Sequence, residues 1–207
     1  MDENLQASKS LRAYSWAVIA VNLLVILWGA YVRATRSGAG CGSHWPLCDG
    51  AVIPQSPGVE TMIEFTHRLS SGLTFLMVLG LLVWVFRILP SGHPARITAS
   101  LSMVFMIIET LIGAGLVLFE LVADNTSMAR GISISLHHIN TFLLLASLTL
   151  TALHHEGLPH ITLRKRRLIL FALIIGMVGV MILGVSGAVA ALGDTLFPAR
   201  TLAQSIA

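Results

Sequence analysis

Five long apolar stretches dominate the sequence and restrict the folds open to it. They cover residues 13–32, 65–89, 97–121, 132–153 and 168–192. Each is long enough to cross a hydrocarbon core of about 30 Å as a helix, which takes roughly 20 residues. Lipid offers the backbone no hydrogen bonds, and the stretches show no barrel-like alternation of apolar and polar residues. The sequence therefore predicts an all-α, polytopic membrane bundle of five transmembrane helices.

The overall composition agrees with this prediction. Hydrophobic residues make up 55% of the 207 residues and charged residues only 11%, whereas soluble domains carry about 25% charge. So little charge cannot cover the surface of a soluble enzyme. The first apolar stretch is too long for a cleaved signal peptide, and Asp2 and Glu3 are atypical of an organelle transit peptide. We therefore expect a prokaryotic plasma membrane protein.

Basic residues near the helix ends predict the orientation, because cytoplasmic loops are enriched in Lys and Arg. The side of the N-terminus carries eight of them: Lys9, Arg12, Arg87, Arg96 and the run 164–167. The opposite side carries fewer: Arg33, Arg36, Arg130 and Arg200, with Arg68 just inside a helix. We therefore expect a cytoplasmic N-terminus and an extracytoplasmic C-terminus. The basic run is interpreted as a topology signal beside lipid headgroups, and no nucleic acid partner is expected.

The loop 33–63 then lies outside the cytoplasm and contains both cysteines of the chain, Cys41 and Cys48. An oxidising compartment permits a disulfide and lets it persist. The alternative is a metal site, for which His44 is the one further donor nearby. The sequence favours the disulfide and leaves the metal site open.

Histidines near the outer ends of two helices point to a heme site. The second helix begins with Glu64, His67 and Arg68, and the fourth carries His137 and His138. Both helices run inward from the same side, so at about 1.5 Å per residue His67 and His137 lie within roughly 10 Å of the outer boundary. Two imidazoles at equal depth can hold a heme iron between them. Hydrogen-bonded packing is the alternative, and copper or zinc is less favoured because ligands are few.

Glu109 is a charged residue within the third apolar stretch, and such residues are functional candidates by default. On the helical rise it lies about 18 Å from the expected outer end of its helix. Two interpretations stay open. Glu109 is either a proton relay or polar contact to a buried ligand, or a protonated glutamic acid hydrogen-bonded within the bundle.

Four short motifs together resemble one family. They are GAYVRAT at 29–35, GAGCGSHWPLCDG at 38–50, EFTHR at 64–68 and SLHH at 135–138. The combination, with the helix pattern, resembles the N-terminal half of the heme A synthase family of membrane enzymes, which serve cytochrome oxidase assembly. The resemblance extends over nearly the whole chain.

Membership would imply oxidation of a methyl substituent of heme O to the formyl group of heme A. His67 and His137 match the family's histidines at the substrate heme, and Glu64 matches a carboxylate with a catalytic role. Arg68 would bind a heme propionate or pair with Glu64, and His138 remains an alternative ligand. Glu109 and His138 are expected near the ligands, and the cysteines match the family's outer-loop pair. Expected partners are membrane lipid, heme O, heme O synthase and an electron donor, and a homo-oligomer stays open.

The family consists of two similar four-helix halves, and the second half holds a heme b cofactor. Residues 185–189 echo residues 28–32, so the fifth helix resembles the start of a second half. We therefore expect a fragment, or a chain whose second half a partner supplies. Its expected division is a cytoplasmic tail 1–12, a heme-binding half 13–155, a basic cytoplasmic loop 156–167, and a last part 168–207 that contains the fifth helix and an extracytoplasmic end. The rival functions are a bis-histidine electron-transfer cytochrome b and a non-catalytic heme-handling subunit.

The fifth helix also has a predicted packing face. Its members are small and fall on one broad side of the helix: Gly176, Gly179, Gly184 and Gly187. Small residues let helix backbones approach closely in a membrane. The pattern predicts that this face packs against another helix.

Overall fold

A computed structural model describes residues 2–155 and 167–196 of the chain. The described residues form five long helices and no strand. All five are long and apolar enough to cross a membrane, which confirms the predicted fold class. Their bounds are α1 Asp2–Ala34, α2 Val59–Ile88, α3 Pro94–Leu118, α4 Met128–His155 and α5 Arg167–Leu196. The predicted loop 156–167, apart from Arg167, and the predicted end after residue 196 lie outside the described residues.

Helix boundaries differ from the apolar stretches where polar residues continue a helix. Helix α2 begins at Val59 and α4 at Met128, so both start several residues before their apolar stretches. Helix α3 ends earlier than expected, at Leu118, because the chain turns there through left-handed conformations at Glu120 and Ala123. Hydropathy detects the part of a helix that lies in lipid, whereas hydrogen bonding decides where it begins and ends.

The first four helices form a ring. Helix α1 packs against α2 and α4, and α3 packs against the same two helices, so α2 and α4 lie on a diagonal of the bundle. Helix α5 packs against α4 from outside the ring. Helices α1 and α3 finish at the same end of the bundle at which α2 and α4 begin. We call this end the disulfide end. The diagonal places the start of α2 opposite the start of α4.

The apolar core fills only the half of the bundle away from the disulfide end. Its buried members belong to the first half of α1 and α3 and the second half of α2 and α4: Leu11, Val18, Ile19, Val78, Leu81, Val85, Ala95, Ala99, Met106, Leu144, Leu148 and Ala152. Hydroxyl pairs tie α3 to α4 in the same half, Ser102 to Ser147 at 3.0 Å and Thr151 to Thr98 at 2.9 Å. The half nearer the disulfide end contains buried polar residues such as Glu64 and Asn140 beside the buried apolar Val32 and Ala114.

The loop between α1 and α2 is closed by a disulfide between Cys41 and Cys48. Of the two interpretations of this cysteine pair, the structure contains the disulfide. Backbone hydrogen bonds of 2.9 Å in both directions join Cys48 and Ala51, and the Asp49 N–H donates to the Cys41 carbonyl at 3.0 Å. We call residues 38–51 the disulfide loop. It lies directly on α2, since a Cβ on Gly40 would stand 2.5 Å from the carbonyl carbon of Glu60.

The glycine face of α5 meets a neighbour at one position. A Cβ on Gly184 would come within 2.8 Å of the Phe142 ring on α4. At Gly176, Gly179 and Gly187 a Cβ would meet no described atom within 4 Å. The predicted close approach is therefore present at Gly184, and the rest of the face is open in the described part of the chain.

Gly40→Ala tests the close approach of the disulfide loop to α2. The added Cβ meets backbone atoms of Glu60, so the loop must move, and we expect a loss of about 1–3 kcal/mol in the free energy of unfolding. Gly72→Ala is the control on α2, where a Cβ meets nothing within 4 Å. Denaturant unfolding of the purified protein in detergent measures both. Equal stability of the two variants would contradict the tight packing.

Candidate functional site

His67 lies against α1 near the disulfide end. It is the ninth residue of α2, about 12 Å along the helix from its start, and so lies deeper than the sequence indicated. A Cβ on Gly29 would stand 3.0 Å from its Cε1 and 3.3 Å from its Nε2, so the glycine makes room for the ring. The Nδ1 atom of His67 is buried and has no hydrogen-bond partner among the described residues.

His137 occupies the corresponding place on the diagonal helix. It is the tenth residue of α4, about 14 Å from the helix start, so the predicted match in depth to His67 is present. A Cβ on Gly113 of α3 would lie 3.9 Å from its Cε1. Its Nδ1 is buried and makes no hydrogen bond within the described part of the chain. The two imidazoles therefore lie at similar depth on the two diagonal helices of the ring.

Glu109 stands beside His137. Because α3 ends at Leu118, Glu109 is about 14 Å from the disulfide end, level with His137 instead of deeper. Its Oε1 lies 3.4 Å from the His137 Nδ1. The Asn140 amide donates to Oε2 at 2.5 Å and the Thr141 hydroxyl to Oε1 at 2.6 Å. Glu109 is thus a hydrogen-bonded carboxyl group at the histidine site.

Asn140 and Thr141 were not identified from the sequence. They follow His137 by three and four residues, which puts them on the same helix face. The Asn140 amide also donates to the Phe105 carbonyl at 2.9 Å, so it joins α4 to α3 at this level. The sequence signal that could have identified Asn140 and Thr141 is their polar character three and four residues after an intramembrane histidine.

The adjacent histidine has different surroundings. The Nδ1 of His138 lies 2.8 Å from the Ile134 carbonyl of its own helix, which is hydrogen-bonding distance. His137 has no such bond and lies beside Glu109. His137 and His138 therefore differ in whether the ring Nδ1 lies within hydrogen-bonding distance of a backbone carbonyl.

Glu64 and Arg68 join the disulfide loop to α2. Glu64 is 3% exposed, and its Oε1 accepts hydrogen bonds from the Arg68 guanidinium. Its Oε2 accepts the Cys41 backbone N–H at 2.8 Å. The guanidinium also donates to the carbonyls of His44 at 2.5 Å and Leu47 at 2.7 Å. Of the two interpretations of Arg68, its ion pair with Glu64 is present, and both oxygens of Glu64 are engaged.

A bare metal ion has no site in the described ranges. No group of three or more His, Cys, Asp or Glu side chains there is arranged to hold one. The cysteines are joined to each other and so offer no thiolate.

Comparisons with known proteins agree with this picture. A family model described as cytochrome oxidase assembly protein matches residues 12–205. The chain is 52% identical over 196 residues to a protoheme IX farnesyltransferase of Thermus thermophilus, covering 95% of this chain and 32% of that protein. It is 39% identical over 140 residues to a heme A synthase of an Exiguobacterium species, 68% of this chain and 46% of the relative. A heme A synthase of Exiguobacterium sibiricum is 32% identical over 190 residues, 90% of this chain and 63% of the relative. The chain thus spans between about a third and just under two thirds of these relatives.

Glu64→Ala tests the link between the disulfide loop and α2. It removes the acceptor of the Arg68 guanidinium and of the Cys41 N–H, and breaking a buried ion pair destabilises by about 3 kcal/mol. Thermal unfolding in detergent measures the loss. Glu60→Ala is the matched control, because that glutamate lies one turn earlier on α2 and is exposed. If both variants unfold at the same temperature, the Glu64 contacts do not hold the loop.

Proposed function

Because the chain belongs to the cytochrome oxidase assembly protein family, we propose that it binds heme between His67 and His137 and modifies it. The proposed reaction is that of a heme A synthase, oxidation of a methyl substituent of heme O to a formyl group. The observation that carries the proposal is the pair of half-buried imidazoles, each with a buried Nδ1 that has no hydrogen bond among the described residues. They lie at matched depth on diagonal helices, in the half of the bundle outside the main apolar cluster.

The residues around the two imidazoles fit a heme. An imidazole without a hydrogen bond to the protein is available to coordinate iron, and a buried polar nitrogen without a partner is unfavourable by about 1–3 kcal/mol. A hydrogen bond from Nδ1 to an acceptor, made while Nε2 coordinates the iron, would remove that cost. Gly29 and Gly113 lie against the rings, where a Cβ would come within 3.0 Å and 3.9 Å of them. These glycines keep free the space in which the rings can turn toward an iron.

Two observations favour His137 over His138 as the second ligand. His138 is already within hydrogen-bonding distance of the Ile134 carbonyl. His137 faces Glu109, whose carboxyl group can accept a hydrogen bond from Nδ1 and so direct Nε2 toward the iron. Metal-bound histidines commonly have such a partner on the second ring nitrogen. Asn140 and Thr141 would hold Glu109 in that position.

Bound heme O would supply the methyl group to be oxidised and an iron centre. Glu64, one turn of α2 from His67, is proposed to accept a proton during the oxidation. Both its oxygens accept hydrogen bonds, from Arg68 and from the Cys41 N–H. A proton would add to the lone pair that these hydrogen bonds leave free on the carboxylate. Converting the methyl to a formyl group removes electrons and hydrogens and adds an oxygen atom, so an oxidant and an oxygen source outside this chain would be needed. A heme b held outside this chain's histidine pair and an electron donor would complete the system.

The proposed location and partners follow from the same observations. A disulfide persists in an oxidising compartment, which supports placing the disulfide end outside the cytoplasm of a prokaryotic cell. The basic residues predicted at the other end support a cytoplasmic N-terminus. Similarity to a protein named for heme farnesylation supports association with the enzyme that makes heme O.

A bis-histidine electron-transfer cytochrome b is the second candidate. The observation that favours it is the hydrogen bonding of Glu64, because a carboxylate with both oxygens engaged can serve as a structural anchor without chemistry. Such a protein would use the same two histidines and leave heme O unchanged.

Reconstitution with heme tests the ligand assignment. We expect the purified chain to give a six-coordinate, low-spin heme spectrum. His67→Ala and His137→Ala should each abolish that spectrum and lower heme affinity at least about tenfold, whereas His138→Ala should retain it. Absorption titration measures both quantities. A loss of the low-spin spectrum in His138→Ala, with His137→Ala unaffected, would reverse the assignment.

Heme analysis in cells separates the two candidate functions. The 207-residue chain is expressed in bacteria that make heme O and lack heme A, and extracted hemes are separated by chromatography. An enzyme should produce heme A, and Glu64→Gln should lower its amount by roughly a hundredfold or more while heme binding persists. Bound heme O without any heme A would show that this chain by itself does not carry out the oxidation.

A further inference from the structure

Arg130 is a buried cation with an unused donor. It is the third residue of α4 and only 6% exposed. Its Nη1 donates to the Asn125 carbonyl at 2.7 Å. Its Nε is buried and has no hydrogen-bond partner in the described part of the chain. A buried charged group with an unmet donor is unfavourable, which indicates that an anion belongs beside it.

The charges around Arg130 are mostly positive. The charges of Arg33 and Arg36 act on it, and the opposing carboxylate that acts on it is Asp124. Asp124 pairs with Arg36 at 3.2 Å, and both of those side chains are largely exposed. The Arg33 Nη2 lies 3.4 Å from the Gly187 carbonyl of α5. Among the described residues, the carboxylate that acts on Arg130 is thus already paired with the outermost of these arginines, Arg36.

The helix positions place two of these arginines directly above the histidines. Arg130 precedes His137 by seven residues, which is almost two full turns, so both lie on one face of α4 about 10 Å apart along the axis. Arg33 follows Gly29 by four residues on one face of α1, and Gly29 is the residue against the His67 imidazole. Arg130 and Arg33 thus lie between the two imidazoles and the disulfide end.

We infer that Arg130 and Arg33 form a carboxylate site that binds the two propionates of the heme. This inference rests on the proposed heme site between His67 and His137. A heme carries its two carboxylates along one edge, so that edge would face the disulfide end while the apolar edge faces the core. Guanidinium groups bind carboxylates with two parallel hydrogen bonds, which suits the free Nε of Arg130.

Arg68 is the other arginine near the site, and its bonds argue against the same role. Its guanidinium already donates to Glu64 and to the carbonyls of His44 and Leu47. A propionate would have to displace the disulfide loop to reach those donors. The Nε of Arg130 requires no such displacement.

The test compares heme b with its dimethyl ester, in which both propionates are esterified. Each is titrated into the full chain in neutral detergent, so that no anionic lipid headgroup competes for the site. We expect the wild-type chain to bind the free-acid heme roughly tenfold to a hundredfold more tightly than the ester, the range that charged hydrogen bonds supply. Equal affinities for the two compounds would overturn the carboxylate site, and this comparison needs no variant to fold.

Variants assign the preference to particular arginines. Arg130→Gln and Arg33→Gln should each lower the ratio of free-acid to ester affinity about tenfold while leaving ester affinity unchanged. Arg36→Gln is the matched control at the same end, since its side chain is 56% exposed and paired with Asp124. Circular dichroism verifies that each variant is folded. A ratio that falls only in Arg36→Gln, or in none of the three, would overturn the assignment.

The ester separates this inference from the proposed heme site. If the ester gives a low-spin spectrum that depends on His67 and His137, the heme site stands whatever the arginine variants do. If neither compound gives that spectrum, the heme site fails and the propionate site fails with it.

Discussion

Hydrocarbon offers no hydrogen bonds, and this constraint governs the whole structure. It requires the backbone to form helices that satisfy their own N–H and C=O groups, and it requires each polar side chain to find a partner in the protein or a ligand. Most do: Asn140 and Thr141 bind Glu109, and hydroxyls pair between α3 and α4. The exceptions at the disulfide end are nitrogens of His67, His137 and Arg130, and they are informative because so many others are satisfied.

The two halves of the bundle differ in composition and in role. Apolar side chains fill the half away from the disulfide loop and hold the four helices together. The other half contains the histidines, the carboxyl groups of Glu64 and Glu109, and several arginines, with glycines beside the rings. Glu64 and Glu109 have distinct partners. Glu64 faces outward to the disulfide loop, whereas Glu109 faces His137. The glutamate of the EFTHR motif is therefore the one whose contacts hold the disulfide loop on α2.

The helices do not begin and end where the apolar stretches do, and this difference changes the predicted depth of some site residues more than others. The matched depth of His67 and His137 survived because α2 and α4 both begin before their apolar stretches, by similar amounts. Glu109 was placed too deep because α3 ends before the apolar pattern does. Its correct level, and with it the contact to His137, depended on a turn through left-handed residues that hydropathy does not detect. The sequence treats Arg130 only as part of the charge balance, because the burial of a side chain depends on how the helices pack.

The sequence alone determined the five membrane helices, the family and the histidine positions, because hydrophobic length and short motifs are local properties of the chain. Only the tertiary structure decided which groups meet. It paired Glu64 with Arg68 and the Cys41 N–H, brought Glu109 to His137, and gave the Arg130 Nε no partner among the described residues. These outcomes depend on how the helices rotate and on where each one ends. Rotation and ends are set by packing between helices, which no single stretch of sequence encodes.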